Sequence, residues 1–158
     1  MLGSVARKLR IFGFDTLYLR HFNDDDVLKI GIAQRRVILT CDRELFRRTV
    51  KAGARGVLLK GSNDLEDIAQ VLSKYEISSI GFSTLNSRCS ICNGLIIRGR
   101  SISDIKIHLP SNVIKWYEEF FQCTNCNKVY WEGSHIIRIR AWARELNMKL
   151  KEKAQDHK

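Results

Sequence analysis

The apolar and polar positions in the first half of the chain alternate between two periods. Val5, Ala6, Leu9 and Phe12 recur at helical spacing, and Gly13 ends that run. Thr16 to Leu19 reads as a strand. Asn23-Asp24-Asp25-Asp26 opens a second helix, with acids at the end of a helix dipole that favours negative charge; Val27, Leu28, Ile30 and Ala33 form its apolar face. Val37 to Thr40 is a short, β-branched-rich strand. A helix from about Asp42 to Ala52 follows and Gly53 stops it. Gly56 to Lys60 reads as another strand. Ser62 or Asn63 then caps a helix reaching about Tyr75, with Leu65, Ile68, Ala69 and Leu72 facing inward. This β-α-β-α-β-α rhythm predicts an α/β fold, a parallel sheet with helices packed on it.

From Ile77 the pattern changes. Residues 77–86 read as a connector with one short strand over Ser79 to Phe82. Leu95 to Arg98, Asp104 to Leu109 and Val129 to Trp131 are further strand candidates, and the single proline, Pro110, closes the second of them. A basic amphipathic helix is expected from about Ser134 to Lys153, with Ile139, Trp142, Ala143, Leu146 and Leu150 on one face.

Composition narrows the class. The apolar share of 44% is ordinary for a globular chain, and no apolar run approaches the ~20 residues of a membrane helix. Gly3 to Arg10 carries charge where a signal peptide would be apolar, so a cytoplasmic location is expected, with no membrane partner. The net charge of +10 attracts polyanions, RNA first among them; a merely Lys/Arg-rich surface is the alternative.

The five cysteines carry the sharpest signal. Cys89-Ser-Ile-Cys92 and Cys123-Thr-Asn-Cys126 are two Cys-x-x-Cys pairs, and Cys41 stands apart as an expected small core residue. Each pair can wrap a knuckle that aims both sulfurs at one ion, and two knuckles complete a tetrahedral thiolate shell. One structural zinc per chain is therefore expected, ahead of a redox dithiol or an iron–sulfur cluster. Asn93-Gly94 and Asn127 follow the knuckles, where left-handed backbone is required.

A second constellation is acidic. In a parallel sheet ligands bind at the carboxyl ends of the strands. The three loops there carry Asp24 to Asp26, Asp42 and Asp64. Such carboxylates either hold Mg²⁺ or Mn²⁺ or cap the helices that follow. Arg7 and Arg10 share a face of the first helix, and Arg43, Arg47 and Lys51 form an i, i+4, i+8 stripe. These basic groups suit RNA phosphates, or a solvated helix face. Trp116, Tyr117, Tyr130 and Trp131 flank the cysteines and can stack on bases or fill a small core; His135 can cap the last helix or face a ligand.

Several separated motifs together resemble one family. Leu2-Gly3-Ser4-Val5-Ala6-Arg7-Lys8-Leu9-Arg10, Gly13-Phe14-Asp15-Thr16, Leu39-Thr40-Cys41-Asp42-Arg43, both cysteine pairs and Tyr130-Trp131-Glu132-Gly133-Ser134-His135 resemble the Mut-seven C-terminal ribonuclease family, a PIN-like nuclease domain fused to a zinc ribbon. The resemblance implies a PIN-like domain over residues 1–85, and a zinc ribbon with a C-terminal basic helix over 86–158. It implies a metal-dependent ribonuclease whose Mg²⁺ or Mn²⁺ is held by Asp24 and Asp42, with Thr40 orienting a metal-bound water. Arg7, Arg10, Arg43 and Arg47 are the expected RNA contacts, with ribosomal or transfer RNA among the candidate partners. The resemblance also implies a strand ending in an aspartate just before the Leu-Gly of the first helix. Here the chain reads Met1-Leu2-Gly3, so either the start is placed too late or that strand and its acid are lost, and the chain as written is expected to cleave RNA slowly or not at all. A non-catalytic RNA- or ribosome-binding protein and a protein-binding zinc-ribbon adaptor are the other readings.

Overall fold

The structure is a computed structural model, and it describes residues 2–18, 21–61, 63–99, 103, 109 and 111–155. The elements are α1 (Gly3–Ile11), α2 (Asp24–Ala33), β1 (Ile38–Thr40), α3 (Arg43–Lys51), β2 (Gly56–Leu58), α4 (Asp64–Lys74), β3 (Ile96–Arg98), α5 (Ser111–Trp116), β4 (Phe120–Cys123), β5 (Val129–Trp131) and α6 (His135–Gln155). They group into two compact units. One comprises Met1–Val5 and Tyr18–Ile77, the other Ala6–Leu17 and Ser78–Lys158.

In the first unit β1 and β2 pair in parallel, Ile38 opposite Gly56 and Thr40 opposite Leu58. The parallel arrangement expected from the strand–helix rhythm is present as this small sheet. Helices α2 and α3 lie close on it. A Cβ at Gly31 would stand 2.6 Å from Ile38 Cδ1, and one at Gly56 would stand 2.9 Å from Thr49 Cγ2, so glycine sets the helix–strand distance. Val57, Leu59 and Val71 are buried together, with Leu2, Val37, Leu39 and Tyr75 packed against them. Ile68, Ala69 and Leu72 of α4 are also buried, as its apolar spacing predicts.

The second unit holds a three-stranded antiparallel sheet in the order β3-β4-β5. Ile96 pairs with Cys123, and Phe120 with Trp131. Helix α6 buries Ile136, Ala143, Leu146 and Leu150, matching the predicted face with its start moved back to Ile136. Phe12 stacks on Trp142, ring centres 5.4 Å apart, with Lys8 Nζ 5.4 Å from the same indole.

Three expectations are corrected. Over its described residues the segment 16–18 is not a strand. Thr16 is held by side chains instead, its N–H donating to Asn93 Oδ1 (3.0 Å) and its C=O accepting from Arg10 Nε (2.8 Å). Residues 79–82 form no strand either, because the Asn147 amide accepts from the Ile80 N–H (2.8 Å) and donates to the Ile80 C=O (2.9 Å). That pair of bonds replaces the ladder a strand would need. Conversely, β4 and α5 form where no element was expected. The strand expected at Asp104 to Leu109 falls largely outside the described residues, as does Ser62; Asn63 caps α4. No helix among the described residues is long and apolar enough to cross a membrane.

Candidate metal centre and acidic edge

The two cysteine pairs adopt one local design. Cys89 N–H donates to Gly94 O (2.8 Å) and Cys123 N–H to Lys128 O (2.9 Å), five residues on in each case. Asn93 N–H returns to Cys89 O (2.9 Å) and Asn127 N–H to Cys123 O (3.2 Å). Both asparagines are left-handed, at φ 68° and 56°, where Asn is the best-tolerated residue after glycine. Two knuckles of one shape therefore face each other across the sheet end at Cys123.

Their four sulfurs lie within 4.8 Å of one another. Cys89 Sγ is 3.5 Å from Cys126 Sγ, and Cys92 Sγ is 3.4 Å from Cys123 Sγ. These separations exceed a disulfide of about 2.05 Å. A tetrahedral zinc with Zn–S bonds of about 2.3 Å spaces its sulfurs by about 3.8 Å, inside the observed range. Cys89 and Cys123 are fully buried. Cys123 Sγ also accepts from the backbone N–H of Asn125 (3.4 Å) and Cys126 (3.5 Å), contacts that suit a thiolate. The four cysteines thus fit a zinc ion.

Crowding splits the thiol pKa values. Burial pushes Cys126 up to about 12, its sulfur neighbours adding to the rise, and burial raises Cys123 as well. Burial also acts against ionising Cys92, but hydrogen bonds from Gly94, Asn125 and the neighbouring cysteines outweigh it and bring that thiol down to about 6. A divalent cation would remove the mutual repulsion that separates them.

Gly94 is part of the packing. A Cβ there would stand 2.8 Å from Cys123 Sγ, 2.9 Å from Asn125 Cβ and 3.4 Å from Cys92 Sγ. Its position directly after Asn93 hinted at a turn, but the close approach to both knuckles emerges only in three dimensions.

Arg10 has a structural task that the sequence did not reveal. It is 4% exposed, so it shares no surface with the exposed Arg7. Its guanidinium donates to the carbonyls of Thr16 (2.8 Å), Ser90 (3.2 Å) and Ile91 (3.0 Å). Burial lowers its pKa, opposed by the nearby Cys89, Cys92 and Asp15. Tyr130 was also missed as a neighbour of the sulfurs, with its Oη 3.0 Å from Cys89 Sγ. Burial first, and then Cys89, raise the phenol well above its ordinary pKa, so it keeps its proton. Tyr117, Trp131 and His135 form a separate aromatic group, Trp131 lying 6.4 Å from Tyr117 and 6.2 Å from the His135 ring. Trp116 alone of the four flanking aromatics is strongly exposed, at 74%.

In the first unit, Asp42 caps α3, its Oδ1 accepting from Glu44 N–H (2.6 Å) and Leu45 N–H (2.9 Å). Thr40, buried at the end of β1, accepts the Asp42 N–H on Oγ1 (3.0 Å) and so sets the turn. Asp24 is the first residue of α2 and exposed; the cap there is Asn23, which accepts from Asp26 N–H (2.9 Å). Asp64 likewise sits one residue past its cap and accepts from Ser4 Oγ (2.9 Å). The Arg48 guanidinium is hydrogen-bonded to Asp25, which raises its pKa, with Asp24 and Glu44 adding to the effect. Arg48 therefore lies among the acids that begin α2 and α3. Among the described residues, three or more potential metal ligands converge at the cysteines and not at this edge. Cys41, expected in the core, is exposed because it lies just past β1 in the turn rather than between layers. Arg43, Arg47 and Lys51 are all exposed on α3, and Arg47 forms a double hydrogen bond to Glu44 (2.7 and 2.9 Å).

A family model described as the Mut7-C RNAse domain matches residues 1–143. The matched span includes Asp24, Thr40, Asp42 and all four paired cysteines and ends inside α6. No curated protein and no solved structure matches the chain.

Proposed function

Because the chain belongs to the Mut7-C RNAse domain family, we propose that it is a metal-dependent ribonuclease of the PIN-like class. The family match over residues 1–143 is the observation that carries this reading. In it, residues 1–85 form the nuclease part and 86–158 the zinc ribbon, with one structural zinc on Cys89, Cys92, Cys123 and Cys126. Asp24, which opens α2, and Asp42, just past β1, bind Mg²⁺ or Mn²⁺, and Thr40 fixes the backbone that presents Asp42. Two carboxylates are fewer than a two-ion phosphodiesterase needs, so cleavage is expected to be slow. Arg7, Arg43 and Arg47 hold RNA phosphates, and exposed Trp116 offers a stacking surface for an unpaired base. The protein works in the cytoplasm.

The test is cleavage of single-stranded RNA with Mg²⁺ or Mn²⁺ present or chelated. Asp42→Asn is the variant of choice, because Asn caps a helix about as well as Asp, so α3 should keep its fold. Metal-dependent cutting by the parent chain and its loss in Asp42→Asn, with RNA binding retained, support the assignment. Cleavage unaffected by the substitution places the chemistry elsewhere.

A second reading, RNA binding without cleavage, is favoured by a specific observation. One oxygen of Asp42 is engaged by two backbone N–H groups, and Asp25 is held by Arg48. Salt-sensitive RNA binding with no metal-dependent cleavage would select it.

A further inference from the structure

The two knuckles share their backbone pattern but differ in what donates to their first sulfur. In the second, Cys123 Sγ accepts from the N–H groups of Asn125 and Cys126. In the first, Cys89 Sγ faces the Tyr130 hydroxyl at 3.0 Å. The direction of that contact follows from a third group. Ser90 N–H, which can only donate, reaches Tyr130 Oη at 3.2 Å, and Ser90 Oγ lies 3.4 Å from it. The phenol oxygen thus accepts from Ser90, and its own proton is left for Cys89.

The peptide units of the first knuckle are held from their other side. By chain position, Ser90–Ile91 and Ile91–Cys92 correspond to the two units that supply N–H groups to Cys123. Their carbonyls both accept from Arg10 Nη1, and Nε of the same guanidinium holds Thr16 O. All three acceptors are uncharged, yet Arg10 is almost fully buried, and buried charges are ordinarily paired. Cys89 and Cys92, then Asp15, favour its charged form against that burial. Four thiolates around Zn²⁺ leave a formal charge of about −2, a counter-charge for such a cation.

We propose that Tyr130 and Arg10 are the outer shell of the metal site: Tyr130 donates a hydrogen bond to the Cys89 thiolate, and Arg10 fixes the Ser90 and Ile91 peptides while offsetting the negative shell. The proposal rests on the zinc reading above. Both are positioning residues, acting on the metal through its ligands. Removing groups of this kind commonly weakens metal binding by about 10–100-fold.

The experiment uses the full chain, Tyr130→Phe, Arg10→Met and Arg10→Lys. Zinc content is measured first, then zinc affinity by competition with a chromogenic chelator, then the absorption of Co²⁺-loaded protein. Tyr130→Phe and Arg10→Met should each lower affinity by about 10–100-fold. Arg10→Lys, which keeps the charge but loses the planar fork, should fall between Arg10→Met and the parent. Loss of the hydrogen bond leaves the Cys89 sulfur richer in electrons, so the sulfur-to-cobalt charge-transfer band of Tyr130→Phe should move to lower energy. A purely structural tyrosine would not shift that band. Zinc-bound Tyr130→Phe with parental affinity and an unmoved band overturns the proposal. Parent protein that folds with no zinc overturns the metal reading itself, a distinct result.

Discussion

Replacing Gly94 with alanine tests whether the two knuckles are packed around an ion. The added Cβ would stand 2.8 Å from Cys123 Sγ, 2.9 Å from Asn125 Cβ and 3.4 Å from Cys92 Sγ. Carbon contacts settle at about 3.5–4.0 Å, so the first two neighbours must each retreat by roughly 0.6 Å or more. Without metal the loops can open to do so. With zinc bound they cannot, because Zn–S bonds tolerate only about 0.2 Å. The strain therefore falls on the bound form, at the overpacking scale of about 1–3 kcal/mol. At a factor of ten for each ~1.4 kcal/mol, zinc affinity should drop by about 5- to 150-fold. Gly53→Ala is the control. Gly53 has φ +68° and no neighbour within 4 Å, so alanine there strains only the backbone, by roughly 1–2 kcal/mol. It should lower the thermal midpoint and leave zinc binding alone. Chelator competition at fixed pH reads the first effect, and thermal unfolding followed by circular dichroism the second. Gly94→Ala with unchanged zinc affinity would show that the knuckles are not held by an ion at this spacing.

Zinc affinity should also depend steeply on pH. Cys123 and Cys126 have raised pKa values and each must shed a proton to bind, whereas Cys92, near 6, is already ionised at neutral pH. Affinity should then rise by no less than about 100-fold per pH unit between pH 6.5 and 8, and more steeply below pH 6 where Cys92 protonates; a slope of one proton or fewer in chelator competition would contradict this. Cys126→Ser, or chelation of the parent chain, should loosen the β3-β4-β5 sheet while amide exchange in the β1-β2 unit stays slow; equal loss of protection in both units would refute it. Arg43→Glu with Arg47→Glu should weaken single-stranded RNA binding and flatten its salt dependence, read by fluorescence anisotropy across a salt series. Unaltered binding would remove α3 as the contact surface.

Much of this protein follows from local pattern alone. The Cys-x-x-Cys pairs specify a knuckle because two residues between ligands are what a tight turn needs to converge both sulfurs, and the fold brings all four together. Asp42 is legible as a cap because a short acceptor before an apolar-periodic run satisfies otherwise orphaned N–H groups. The α3 stripe of Arg43, Arg47 and Lys51 is exposed as its spacing requires. What the pattern misjudged lies where a side chain from far along the chain claims a backbone group. Asn147 binds Ile80 across 67 positions and Asn93 binds Thr16 across 77, and both segments give up the strand their composition favours. Arg10 reads as surface by its type, but the carbonyls of Ser90 and Ile91 give its buried donors partners. Tyr130 reads as core or base-stacking and becomes a neighbour of Cys89 only when β5 pairs beside β4. Local spacing determined α1 to α4 and α6, the caps at Asp42 and Asn63 and the two cysteine knuckles, because those depend on neighbours within a few residues. The surroundings of the ligands, and the tasks of Arg10 and Tyr130, were decided by tertiary structure, because a polar group's role is set by which distant donor or acceptor folding brings within about 3 Å.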